Sequence, residues 1–222
     1  MMIEVIRKCN IAATLYINIK ALPWRQALKF PIVVYGGIQI ESLNGKINIK
    51  SDRIRRGMIK IGAQGCDMFG KGKCVVSIDG EVEFYGCCSI GTNSSLIIRR
   101  NGHLKIGKMV FLGANNLILC EKAITIGDEF MSSWCCQFID SNTHEIIDIN
   151  TKIKSEATKA IYIGKHCWLG NHSTVNKGGR LCDNTIVASY SLINKDYSHM
   201  GDFCVFAGIP ANLKSKGKAW IR

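Results

Sequence analysis

The chain has 222 residues, 47% of them hydrophobic, with 22 Gly and only 3 Pro. This is enough for one sizeable domain with its own core, and it is unlike a disordered or collagen-like chain. A formal net charge of +12 favours anionic partners such as phosphate-bearing cofactors, acidic glycans or lipid headgroups. The Lys and Arg are dispersed and form no RNA- or DNA-reading motif, so nucleic acid is not expected.

Residues 1–45 carry no repeat. The apolar run at 11–19 is too short to cross a bilayer, and no small-residue cleavage site follows it. The stretch "LPWRQALKFPIVVYGG" predicts a short helix stopped by Pro31 and a strand ending at Gly36-Gly37. The segment is expected to cap the open end of whatever follows. Its aromatic and cations make peripheral contact with a membrane surface the alternative. The eleven cysteines lack a CxxC…CxxC pattern and predict small hydrophobes in a reducing cytoplasm, with no metal.

From 46 to 206 the sequence is marked in sixes. Ile78, Phe84, Ile90 and Leu96 stand six apart, as do Ile106, Leu112 and Ile118. After a two-residue slip the frame resumes at Ile126, so that Ser132, Phe138 and His144 fall on it. The run Ile163, Leu169, Val175, Leu181, Val187 and Ile193 is unbroken. A period of six fits neither an amphipathic helix nor a half-buried strand. It predicts a triangular parallel β-helix, with three such units per coil and an aliphatic residue pointing inward from each. A Gly or small polar residue is expected to ease each corner. A β-sandwich would alternate and turn every roughly 8–12 residues, which this chain does not.

The polar, basic stretch 145–160 breaks the frame and is expected to be ejected as a loop. Just before it, "FIDSNTHEI" at 138–146 puts His144 where an aliphatic should point inward. Histidine titrates near neutrality and suits a general base, with Asp140 or Glu145 able to orient the ring. A histidine that caps the loop by hydrogen bonds fits the same spacing.

Three stretches, "IYIGKHCWLGNHSTV" at 161–175, "VASYSLINKD" at 187–196 and "FAGIPANL" at 206–213, together resemble the hexapeptide-repeat acyltransferases. More narrowly, nearly the whole chain resembles the O-acetyltransferases of capsule and lipopolysaccharide gene clusters. The resemblance implies an all-β, left-handed parallel β-helix. Residues 1–45 would be its cap, 46–206 the acyltransferase domain, and 207–222 a CoA-site segment with a basic tail. It implies a cytoplasmic homotrimer with active sites between subunits, acetyl-CoA as co-substrate and a sugar hydroxyl as acceptor. His144 falls on the family's catalytic histidine, implying direct transfer in a ternary complex. Asn116 lies near a substrate-contacting Asn of related enzymes, and Asn115 fits equally because the local alignment needs a one-residue gap. For the donor, Trp168 would lie beside the pantetheine arm and Ser189 would line the CoA channel. Lys195 would meet phosphate, with Lys214, Lys216 and Lys218 adding cations. Ala207, Gly208 and Pro210 would sit near the adenosine end. The chain departs from the family pattern where Leu181 lacks a following Gly, where Tyr190 makes "ASYS" bulky, and where Asn212 replaces the usual Lys or Arg.

Other readings use the same residues. The γ-type carbonic anhydrases share this fold with zinc-binding histidines, but His166 and His172 take the turn position of consecutive units and so lie on different sides of the triangle. Cys135 and Cys136 offer an acyl-cysteine nucleophile, without any signal of thiol activation. An N-acetyltransferase acting on an amino sugar would keep the same set, whereas a non-catalytic scaffold would be expected to lose His144.

Overall fold

The structure is a computed structural model that describes residues 9–63, 68–70 and 72–221. Short parallel strands wind round a three-faced prism, so the expected all-β, left-handed parallel β-helix is the observed fold. The first face runs from Ile32–Val34 through Ile59–Ala63, Cys88–Gly91, Val110–Leu112, Met131–Ser132, Trp168–Leu169 and Ile186–Val187 to Cys204–Ala207. The second starts at Gly37–Leu43 and ends at Leu192–Ile193, and the third runs from Lys46–Ile49 to Arg180–Leu181. Asn212–Lys216 then folds back antiparallel on Cys204–Ala207.

The sixes are the core. Leu112, Ser132, Leu169, Val187 and Phe206 stand in register on the first face. Leu96, Ile118, Phe138, Val175 and Ile193 do so on the second. All of these are buried, and each large apolar member contributes roughly 1.5–3 kcal/mol by leaving water. His144, the last member of the slipped frame, is exposed, because the chain has left the prism by then.

The glycines do a different job from the one expected. A Cβ on Gly127 would lie 2.5 Å from the Gly164 carbonyl oxygen, and one on Gly164 would meet Asp183 Oδ1 at 2.5 Å. They are small because the next coil presses on them. The left-handed turn conformation is taken by Gly36, Gly57 and Gly178 (φ 65–78°) but at most corners falls on non-glycine residues. Asn93, Asn115, Cys135, His172 and Tyr190 (φ 56–60°) form one edge, and Met109, Glu129, His166, Asn184 and Phe203 (φ 51–57°) form another. Asparagine tolerates this region best, and hydrogen bonds to the preceding coil, such as His172 N–H to Trp134 O at 3.1 Å, hold the others there.

The N-terminal segment differs in detail from its prediction. The apolar run is a helix, α1 (Ile11–Ala21), capped by Asn10, whose Oδ1 accepts from Ala13 N–H at 3.1 Å. The helix expected before Pro31 is a single turn, α2 (Trp24–Ala27). Strand Ile32–Val34 already pairs in parallel with the next coil, so the β-helix begins inside the segment read as a cap. α1 closes the open edge with polar side chains. Buried Asn18 accepts from Ile32 N–H at 3.2 Å and donates to Ile32 C=O at 2.7 Å, and Thr14 Oγ accepts from Val34 N–H at 3.0 Å. These bonds replace the strand that a sheet edge lacks.

The outer surfaces of the faces differ. The third carries a ladder of charges, with His103–Glu81 at 3.3 Å, Lys50–Glu83 at 3.6 Å and Lys105–Glu83 at 3.9 Å. The first aligns Phe111, Met131, Trp168, Ile186 and Val205 outward in register, and the second aligns Ile97, Leu119 and Ile139. All eight are half-buried.

Replacing Asn18 with Leu leaves the Ile32 N–H and C=O without partners at a buried edge. Urea unfolding should show a loss of about 2–4 kcal/mol, whereas Ile19→Gln, on the exposed side of the same helix, should stay within about 0.5 kcal/mol.

Candidate active site

The loop leaves the prism at the edge between the second and third faces, after strand Gln137–Ile139, and returns at Ile161–Ile163. It carries its own two-stranded hairpin, Ile146–Ile147 against Lys154–Ser155, which is more order than the sequence suggested. Its root is firmly bonded. Ser141 bridges Thr158, Lys159 N–H donates to Asp140 C=O at 2.9 Å and Asn142 N–H to Ala157 C=O at 2.9 Å. Ser141 Oγ donates to Glu121 Oε2 at 2.5 Å and accepts from Thr143 N–H at 2.8 Å.

Asp140 is fully buried at this root. Its carboxylate accepts from the backbone N–H groups of Glu121 at 2.7 Å, Lys122 at 2.9 Å and Ala123 at 2.7 Å, and from the Cys120 thiol at 3.6 Å. That takes up both oxygens, so the structure gives Asp140 to the corner of the coil below rather than to the imidazole. Glu145, the other carboxylate considered, is paired with Lys154 at 2.6 Å. His144 itself is exposed, and no hydrogen bond to its ring forms among the described residues. A loop-capping histidine would have such a bond.

The two asparagines separate cleanly. Asn116 is buried; its amide donates to Ser132 Oγ at 2.7 Å and Ser133 C=O at 3.2 Å, and its Oδ1 accepts from Cys136 N–H at 2.6 Å. It fastens one coil to the next and presents nothing to a substrate. Asn115 is exposed on the first–second edge, with its amide 3.1 Å from Cys135 Sγ. Of the pair, Asn115 alone can reach a ligand.

Most of the expected donor residues gather on that same edge in the last three coils. Trp168 lies half-buried on the outside of the first face, donating Nε1–H to Ser133 Oγ at 3.3 Å. Ser189 is exposed and donates to Asn171 Oδ1 at 2.6 Å. The segment with Ala207, Gly208 and Pro210 bends against the coil below, where Gly208 N–H donates to Ser191 Oγ at 3.1 Å and Leu192 N–H to Gly208 C=O at 3.0 Å. Lys195 stands apart at the far end of the second face, its ammonium 5.4 Å over the Tyr197 ring. Lys214 is exposed on the returning strand, and Lys216 donates to Met200 C=O at 2.8 Å. The edge thus offers a tryptophan face, small residues and an exposed serine, with lysines set back, which fits a pantetheine arm ending in phosphates.

Two features escaped the sequence reading. Tyr190 stacks on His172 (centroids 4.7 Å apart, planes at 8°) in the middle of the first–second edge. Trp220 stacks on His166 at 4.5 Å and donates Nε1–H to the His166 carbonyl at 2.9 Å, folding the tail back over the prism. His166 also meets Glu129 at 3.2 Å. Both histidines are thus stacked on different edges, and among the described residues no three or more His, Cys, Asp or Glu side chains gather as a metal site. Cys136 is buried, its Sγ 3.3 Å from Gly170 C=O, and burial pushes its thiol up to about 11, unlike an activated nucleophile.

His144 and the donor residues occupy different edges of one prism, with the second face between them. Within a single chain His144 and these expected donor residues do not meet.

No family model matches the chain. In sequence it is 25% identical over 128 residues to a polysialic acid O-acetyltransferase of Escherichia coli O1:K1 / APEC, over 57% of this chain and 41% of that one. It is 26% identical over 132 residues to a probable acetyltransferase of Mycobacterium tuberculosis, over 58% and 42%. Its named relatives are acetyltransferases. The chain spans about two fifths of the length of these two relatives. A protein of 24.8 kDa from the cps region of Klebsiella pneumoniae, itself uncharacterized, is 25% identical over 96% of this chain and 90% of its own length. In structure, the chain matches the crystal structure of the polySia-specific acetyltransferase NeuO with a TM-score of 0.53, at 21% identity, over 86% of this chain and 79% of that one. The hexapeptide-repeat acyltransferase likeness expected from the motifs is the one these comparisons find.

Asp140→Asn puts an amide N–H where three backbone N–H groups need an acceptor. Chemical denaturation should register a loss of about 2–4 kcal/mol, and limited proteolysis should cut the 142–160 loop faster. Unchanged stability and unchanged cleavage would contradict the role assigned to this carboxylate.

Proposed function

We propose that this chain is an O-acetyltransferase that moves an acetyl group from acetyl-CoA to a hydroxyl of a surface-polysaccharide sugar. The observation that carries the proposal is the loop that breaks an otherwise regular helix. It is fastened at its root by Asp140 and holds in solvent an imidazole without a hydrogen-bond partner among the described residues, in a chain whose named relatives acetylate. The net charge of +12 suits an acidic glycan, and polysialic acid, the substrate in the relatives' names, is the first acceptor to test.

The site would be completed by a neighbouring subunit. The apolar columns on the outsides of the first and second faces favour a homotrimer packed through those faces, with the charged third face left to solvent. The 142–160 loop, which projects from the prism, would carry His144 of one subunit to the donor residues of the next. Acetyl-CoA would lie along Trp168, Ser189 and the Ala207-Gly208-Pro210 segment, with Lys195 and Lys214 reaching its phosphates as point charges. Asn115, exposed on the same edge, would contact the acceptor.

His144 then acts as general base. Its neutral ring takes the proton of the acceptor hydroxyl as that oxygen attacks the thioester carbonyl. The tetrahedral intermediate collapses with cleavage of the carbon–sulfur bond, leaving an acetyl ester and the CoA thiolate, which can recover the proton from the imidazolium. Such a base contributes typically 10²–10⁴-fold. The setting is the cytoplasm, where coenzyme A thioesters are available.

His144→Ala should lower acetyl transfer to polysialic acid by at least about 100-fold, read as acetyl-ester formation by mass spectrometry. Affinity for acetyl-CoA should stay within about twofold, since donor binding is assigned to Trp168, Ser189 and the 207–210 segment and not to the imidazole. Turnover equal to the parent protein would overturn the assignment of the base.

A further inference from the structure

Helix α1 is inside out. Its positions alternate in pairs, with Ala13, Thr14, Ile17, Asn18 and Ala21 turned inward and Ile11, Ala12, Leu15, Tyr16, Ile19 and Lys20 turned outward. An amphipathic helix on a soluble domain shows its polar side to water. Here the polar residues are on the buried side, where Thr14 and Asn18 are needed to close the strand edge. The outward side is nearly all apolar: Ile11, Leu15, Tyr16 and Ile19 are 61, 41, 51 and 70% exposed. On α2 and just after it, Trp24 and Leu28 are each 68% exposed. Edge capping explains the inner face, and nothing among the described residues covers the outer one.

The surroundings are strongly basic. Residues 9–60 hold nine Lys and Arg against two acidic residues. Lys20, Arg25 and Lys29 interleave with the exposed apolar side chains, and the Arg25 guanidinium lies 5.6 Å from the Trp24 ring centroid. Beside α1 lies a groove of ≈ 970 Å³ with Leu15, Phe30 and Met109 in its lining and Arg55 and Arg56 among its polar members. Self-association through this surface would bring like cations together with almost no acidic side chain to meet them. An anionic lipid surface satisfies both halves at once, hydrocarbon for the apolar stripe and phosphate for the cations. No helix among the described residues is long and apolar enough to cross a membrane, so contact is in the plane of the surface.

We propose that the N-terminal cap is a docking surface for an anionic phospholipid bilayer. Ile11, Leu15, Tyr16, Ile19, Trp24 and Leu28 enter the headgroup region, and the neighbouring cations meet lipid phosphates. The proposal does not depend on catalysis and is read without substrate.

The test is co-sedimentation of the full chain with vesicles of phosphatidylcholine alone and of phosphatidylcholine mixed with phosphatidylglycerol. The protein should partition onto the mixed vesicles, weakly onto the neutral ones, and less as salt rises. Leu15→Glu combined with Ile19→Glu should weaken partition by at least about tenfold, with circular dichroism and acetyl-CoA affinity unchanged, since neither residue touches the core or the donor edge. Arg25→Gln combined with Lys29→Gln should weaken binding to the mixed vesicles only. Absence of partition, or equal partition of the Leu15/Ile19 variant, would overturn the proposal. A Leu15/Ile19 variant that changes the sedimentation mass of a protein that does not bind vesicles would assign the face to a second copy instead.

Discussion

Each coil of this protein has to lie flat on the next. Parallel strands only two to seven residues long have few ladder hydrogen bonds apiece, and they hold together because every rung continues a stack of aliphatic side chains running the length of the prism. That stacking fixes what each sixth residue must be. It also explains why the residue after several of them is glycine, since the backbone of the neighbouring coil stands where a Cβ would be. Even the polar exceptions obey it. Ser132 occupies a core position between Leu112 and Leu169, and Asn116 on the adjoining edge supplies its hydrogen-bond partner.

A stack of this kind has two liabilities, its open end and any place where the chain leaves it. Both are handled by polar groups buried in the apolar column. At the open end, Asn18 and Thr14 reproduce the hydrogen bonds of a missing strand, and the helix that carries them turns its hydrocarbon side outward as a result. Where the chain departs, the Asp140 carboxylate gathers three backbone N–H groups of the corner below, so that 142–160 can leave without loosening the coils around it. A buried carboxylate is stabilising only when its oxygens are fully used, and here they are. The loop therefore emerges from a fixed root, which is what a reactive side chain on a long connection requires.

The repeat was legible because period six is imposed by geometry and local propensity hardly alters it; Ile163 through Ile193 could be assigned to the core by counting. The departure at 145–160 followed from the loss of that count, whereas the count itself still put His144 at an inward position and the structure shows it exposed. Other features depend on which way a side chain turns at a corner, and spacing carries no information on that. Asn115 and Asn116 are adjacent and chemically identical, yet one lies in the coil stack and the other in solvent. Asp140 looked like a partner for the imidazole because it is near in sequence, whereas the ladder returns it to residues 121–123 of the coil below. The helix at 11–21 was hidden because its apolar side faces out, and the tail's stacking on His166 depends on a contact across 54 positions.

The proposed donor site is the edge carrying Trp168, Ser189 and the 207–210 segment, completed by a neighbouring subunit. Calorimetric titration with acetyl-CoA, paired with the sedimentation mass of the same sample, tests it most directly. The expected result is a trimer that binds saturably, with one acetyl-CoA per subunit. A folded protein that binds no acetyl-CoA, or a monomer that binds it fully, would contradict the account.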